Sequence, residues 1–199
     1  PGGGCAGWGE CRMGRGRKLL KTVLPALALP MALAACGGSS QPAPVGGAPC
    51  PRIAILAEGA DLTRYREGAG RDLTAMVVDA RVTGFEARCD FAGSDRAVLD
   101  VRIVPRFEAE RGPAATARSV DLPWFVALST ADDSEVLARI AGTTRIAFAA
   151  NVPRGQGAGQ PVLLSMPLTG GRQAADYVVR VSFQLTPEEL ALNRARGVR

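Results

Sequence analysis

"TAMVVDARVTGFEARCDF", residues 74–91, has a strict alternation that changes phase once. Its apolar residues fall at every second position: Met76, Val78, Ala80 and Val82 share one face, and Val77, Asp79, Arg81 and Thr83 the other. Successive side chains of an extended backbone point to opposite sides, so a period of two marks a strand with one face in a core. At Gly84 the parity slips, and Phe85, Ala87, Cys89 and Phe91 become the apolar set. A glycine at such a slip predicts a β-bulge, where one extra residue exchanges the faces of the strand.

The same period extends outward from this stretch. "AGSD", 92–95, reads as a turn, and Leu99, Val101, Ile103 and Phe107 continue as a partner strand, giving a hairpin. "ERGPAATARS", 110–119, reads as a loop before "VDLPWFVAL", whose Leu122, Trp124, Val126 and Leu128 point inward. Pro123 predicts an edge strand or a bulge there, since proline has no N–H for a ladder. The turn "TADDSE" leads to a strand at 136–140, and "TRIAFAANV" gives another. "PRGQGAGQP", 153–161, reads as a loose loop. Val162, Leu164, Met166 and Leu168 form a further strand, and Tyr177, Val179, Val181, Phe183 and Leu185 the last. Upstream, "RIAIL" at 52–56 is a short strand, and "EGADLTRYREG", 58–68, is a candidate helix.

About seven or eight short strands with turns between them imply one all-β domain over 50–199, an antiparallel sandwich similar in architecture to immunoglobulin or fibronectin type III domains. An open-ended barrel is the competing architecture. The end of the chain, "LTPEELALNRARGVR", predicts a short helix, with Thr186 as N-cap, Pro187 at the first helical position and Glu189 completing a capping box. Gly197 is its stop. Its thin apolar stripe of Leu190, Ala191, Leu192 and Ala195 cannot sustain an isolated helix, so it must dock on the sandwich or wait for a partner, and docking over the sheet edge is expected.

The region before the domain is different. From Met13 the chain reads "MGRGRKLLKTVLPALALPMALAAC": a basic run, an uncharged apolar segment from Thr22 to Ala35, then small residues and Cys36. This is the layout of a secretory signal peptide, too short and too interrupted by Pro25 and Pro30 to span a bilayer. "LAAC", Leu33 to Cys36, resembles the lipobox of bacterial lipoproteins. The resemblance covers residues 13–36 and implies removal of 13–35, lipidation of Cys36 and anchorage by acyl chains on the periplasmic side of a Gram-negative envelope. Gly37 after the cysteine, rather than aspartate, favours the outer membrane in the enterobacterial pattern. The whole is similar to envelope lipoproteins of GC-rich Gram-negative bacteria, a likeness that implies no activity. Residues 1–12, "PGGGCAGWGECR", fit no signal layout and read as an upstream extension. The stretch 36–49 is the lipidated cysteine followed by a Gly-, Ser- and Pro-rich tether, whose mean reach is about 20 Å.

Five cysteines then sort themselves. Cys5 and Cys11 lie in the upstream extension and Cys36 takes lipid, which leaves Cys50 and Cys89. An even pair in an oxidising compartment reads as a disulfide, and the 39-residue spacing is unlike a CxxC redox couple.

Charge excludes one class of partner. The formal charge of +5 comes mostly from Arg12, Arg15, Arg17, Lys18 and Lys21, opposed only by Glu10. Beyond Cys36 there remain 19 basic and 18 acidic residues, which is no footprint for nucleic acid. The chain has no histidine, and no lysine after Lys21, which removes Ser-His and Cys-His pairs, imidazole metal sites and lysine Schiff bases. No GxSxG elbow or phosphate loop occurs, and Asp95, Asp132 and Asp133 read as turn formers rather than calcium ligands. No cofactor, metal or catalytic residue is expected. The expected function is non-catalytic: an interaction or envelope-assembly module with the membrane and another envelope protein as partners. The competing expectation is a small anionic ligand, lipid or carbohydrate held by Arg102, Arg106, Arg111 and Arg118, because arginine forks suit phosphate and carboxylate groups.

Overall fold

A computed structural model describes residues 47–197. The leader 13–35, Cys36 and the first part of the tether lie outside the described residues. Within them the strands, in chain order, are β1 (Arg52–Ile55), β2 (Asp61–Tyr65), β3 (Met76–Ala92), β4 (Val98–Arg111), β5 (Ser119–Thr130), β6 (Val136–Ala147), β7 (Arg154–Ala158), β8 (Val162–Pro167) and β9 (Tyr177–Phe183), followed by helix α1 (Pro187–Arg196). One sheet has the order β1-β9-β5-β6; the other runs β2-β3-β4, with β7 and β8 sharing the far side of β4. All pairs are antiparallel except β1 with β9. This is the all-β sandwich that the alternation implied.

The two inner faces meet through the residues that the period of two selects. Val78, Ala80, Val82, Leu99, Val101, Ile103 and Phe107 of the second sheet, and Leu122, Trp124, Val126, Val179, Val181 and Phe183 of the first, are buried in one cluster. Phe107 links the sheets, its ring 5.4 Å from Phe183 and 6.0 Å from Trp124. The slip at Gly84 is a shift in register between β3 and β4 after Val82, as the parity change requires. Beyond it Cys89 is buried, whereas Phe85 and Phe91 are half-buried and Ala87 is exposed.

Four local expectations are corrected. The segment expected as a helix at 58–68 is strand β2, preceded by a 3-10 turn at Ala57–Gly59. A helix confined between Gly59 and Gly68 is too short to be stable, and extended pairing with β3 buries Leu62 instead. The stretches 136–140 and 144–152, expected as separate strands, form the single strand β6, which ends at Ala147. The "loose loop" at 153–161 contains β7. Pro123 lies in β5, which is neither an edge strand nor bulged at that point. Its carbonyl accepts from Gln184 N–H at 2.9 Å, so its backbone groups face β9 where that ladder ends, and the missing N–H leaves the β5–β6 ladder intact.

Three devices close the sandwich. The Cys50–Cys89 disulfide, with Cα atoms 5.5 Å apart, ties the approach to β1 in one sheet to β3 in the other. Tyr177, at the start of β9, donates its hydroxyl to the Pro167 carbonyl at the end of β8, pinning the connection between the sheets much as a tyrosine corner does. Helix α1 forms with the anticipated caps: Thr186 Oγ1 accepts from Glu189 N–H, Glu189 accepts from Thr186 N–H, and Gly197 follows at φ +76°, where a side chain would be strained.

Candidate interaction surfaces

The four arginines singled out by sequence do not gather. Arg102 and Arg106 share the solvent face of β4, about 13 Å apart at the rise of an extended chain. Arg111, at the strand's end, has the opposite parity and stands about 30 Å from Arg102. Arg118 lies beyond β4 in the connection to β5, where its carbonyl accepts from Phe148 N–H. Arg106 pairs with Glu86 across β3, while Glu110 is taken by Arg154 and Glu108 by Gln156. The outer face of this sheet is thus a lattice of mutually satisfied charges. One rung departs from it: Arg88 stands directly opposite Arg102, with no ion-pair partner for either among the described residues. The next rung sets Asp90 opposite Asp100, so the diagonal neighbours offset the repulsion.

A hollow that the sequence did not disclose lies where α1 docks beside β2. It measures about 270 Å³ and is open to solvent, lined by Thr63, Arg64, Tyr65, Arg71, Glu189 and Leu192 among others. A second hollow of the same size shares Thr63 and Tyr65 with it and adds Leu73, Met76 and Arg196. Leu73 is 77% exposed, the most exposed large apolar side chain of the described residues. The docking is polar. Asn193 donates its side-chain amide to the carbonyls of Glu58 and Asp61, Arg194 pairs with Glu58, Arg64 with Glu189, and Arg196 with Thr63 Oγ1 and the Tyr65 hydroxyl. The hydrogen bond and charge of Arg194 hold the Glu58 carboxyl below its ordinary range. No residue of α1 is fully buried, and Leu190 and Leu192 are only half-buried. The helix docks over the sheet edge as expected, but through side-chain hydrogen bonds rather than an apolar stripe.

On the other sheet, Phe125 projects from the solvent face of β5 with the Arg139 guanidinium 4.2 Å above its ring. The "TADDSE" aspartates fold back on their own hairpin. Hydrogen bonds from Thr130 and Ser134 push the Asp132 carboxyl down to about 2, and Arg180, then Ser129, lower that of Asp133. Asp121 accepts both arms of Arg145, which depresses its carboxyl as well. Among the described residues no three Cys, Asp or Glu side chains converge as metal ligands, and no helix is long and apolar enough to cross a membrane.

One signal for this packing is present in the sequence. In "RGQGA" glycines recur at every second position, 155, 157 and then 159, which is a strand with one face bare. That bare face lets β7 approach β6. A side chain at Gly155 would meet Ile146, and one at Gly159 would strike the Trp124 indole. Trp124 is fully buried there, its Nε1–H donating to Thr144 Oγ1 at 2.9 Å, so it is core and not a contact residue.

No protein family, curated protein or solved structure matches the chain. The class this defines is a disulfide-stapled β-sandwich with open surface hollows.

Proposed function

We propose that this chain is an envelope lipoprotein, anchored through acyl chains on Cys36 to the periplasmic side of a Gram-negative membrane, the outer one by preference. Its sandwich then acts as a non-catalytic interaction or assembly module for another envelope protein. The observation that carries the anchor is "LAAC" at the end of a basic-then-apolar segment. The Cys50–Cys89 bridge is in keeping with an oxidising compartment. The module reading rests on the character of the surface: open hollows about Tyr65, and sheet edges with backbone groups to offer. Growth with an alkynyl fatty acid should label the wild type and not Cys36→Ala; equal labelling would refute the anchor. Crosslinking on intact cells should recover a defined envelope protein.

The second reading, a small anionic ligand or lipid headgroup, draws on the Arg88–Arg102 rung. Calorimetric titration with inorganic phosphate distinguishes it. Saturable binding that Arg102→Gln abolishes favours the ligand reading, and no heat above dilution favours the module.

A further inference from the structure

Every sheet has edges, and unpaired edge backbone is a template for another strand. Among the described residues, four of the five edge strands here are short or covered. β1 has 4 residues and β2 has 5, the latter under α1, where Asn193 takes the outward carbonyl of Asp61. β7 and β8 have 5 and 6. β6 has 12 residues and pairs with β5 alone. It carries no proline, lysine or acid that would discourage pairing, and Val136 and Ile140 are 63% and 38% exposed along it.

The direction of its free groups follows from the register. Pro123 faces β9, so the pair Pro123–Thr143 is of the kind that exchanges no hydrogen bonds, and Thr143 N–H and C=O point away from β5. The alternation carries this to Ala141 and Arg139, since the pairing from Ser119–Ala147 to Leu128–Ala138 is unbroken. Phe148 N–H, five residues on, points to β5 and bonds Arg118, as the same parity demands.

We propose that β6 pairs antiparallel with β6 of a second copy of this chain, about a two-fold axis through Ala141, joining two four-stranded sheets into one. That axis sets Ala141 against Ala141 and Arg139 against Thr143, so the outward N–H and C=O groups of 139, 141 and 143 bond reciprocally. It sets Ile140 against Gly142, where there is no side chain to compete for the space. No like charges face each other. Moving the axis one residue to Gly142 would oppose Arg139 to Arg145, which disfavours that register. Arg139 is drawn over its own Phe125 and leaves the seam clear. Towards 146 and 147 the strand is flanked by β7, so the seam ends before Ile146. A two-fold, self-complementary contact of this kind is the commonest way in which one chain meets itself.

This deepens the interaction-module reading, on whose claim that the sandwich binds protein it rests, by naming one partner. Sedimentation of the full chain across micromolar to near-millimolar concentration is the test, with Ala141→Lys and, as a charge-matched control on the β7–β8 turn, Gln160→Lys. The Ala141 side chain is exposed, so the fold is retained, and the near-UV signal of Trp124 verifies that. The expectation is a reversible dimer for the wild type and Gln160→Lys. Ala141→Lys, which sets two ammonium groups together, should raise the dimer dissociation constant at least about 100-fold. A wild type that stays monomeric, or a dimer indifferent to Ala141→Lys, would overturn the proposal. A monomer that still crosslinks to a different envelope protein on the membrane would overturn self-pairing alone and leave the module reading standing.

Discussion

The edges at β2 and β6 belong to the same sandwich and are treated in opposite ways. At β2, five residues lie under a helix that the chain brings back from the end of β9, and the outward carbonyl of Asp61 is met by Asn193. At β6, a strand of twelve residues has three consecutive outward rungs unmet by any described residue. The difference is one of chemistry as well as length. β2 is closed by charged and amide side chains from α1, whereas the charged side chains of β6, Arg139 and Arg145, are taken up by Phe125 and Asp121 of β5 and leave its outer backbone groups uncovered. Covering the first edge leaves the second as the place where a β-partner can add.

The largest effect should come from a third edge, β1, which is held covalently. Reducing the bridge, or making Cys50→Ser with Cys89→Ser, frees a loop of about 40 residues and should cost on the order of 3–4 kcal/mol, read as a lower denaturant midpoint. A midpoint unchanged by reduction would mean that the parallel β1–β9 ladder suffices alone.

Deleting 187–199 turns the β2 edge into a second bare edge. The melting temperature should fall, and the truncated chain should associate through a surface that Ala141→Lys no longer blocks. An unchanged melting curve would show that the helix contributes nothing to the domain and would single out the tail as a partner-binding element. Asn193→Ala is the finer cut. It orphans two part-exposed carbonyls and should cost about 1 kcal/mol, or about 2–4 °C in a domain of this size.

Salt and acid separate the two edges more gently. The Arg194–Glu58 and Arg64–Glu189 pairs are screened at high ionic strength, so amide protons of β2 should exchange faster in 1 M than in 0.1 M salt, roughly three against ten ångströms of Debye length. Pairing at β6 uses no charge and should be indifferent. The smallest effect is that of pH. Glu58, Asp121, Asp132 and Asp133 all have carboxyls lowered in the folded state. Their contribution is therefore present above the unfolded values near 4 and is lost as pH falls through the folded ones, for Asp132 about 2. The melting temperature should be flat above about pH 5 and decline towards pH 2, a decline that β6 association, with no carboxylate in its strand, should not share.

Much of the sandwich was legible because burial on one side of an extended chain forces a period of two. The hairpin of β3 and β4, the bulge at Gly84, the inward set of β5 and the caps of α1 all follow from spacing within a few residues. β2 was misread because its five residues carry buried Asp61 and Thr63 beside Leu62, a mixture with no apolar period; Asp61 is tolerated there because Arg81 pairs with it. β7 was misread because glycines leave no side chains by which to count parity. The four arginines looked like a cluster because they are near in sequence, but an extended strand separates residues nine apart by about 30 Å.

Spacing and composition alone carried the inward sets of β3 before Gly84, β4, β5 and β9, the start and stop of the helix, the possible pairing of Cys50 with Cys89, and the lack of histidine and lysine in the domain. These depend on local period, on local capping and on composition. Which strands become neighbours, and so which edges are left over, comes from the three-dimensional packing. β9 reaches back past β6, β7 and β8 to lie between β1 and β5, and that choice puts β6 outermost and brings α1 onto β2. Neighbour order is settled by pairing across long separations, where the gain is shared by two distant segments and neither carries a record of it.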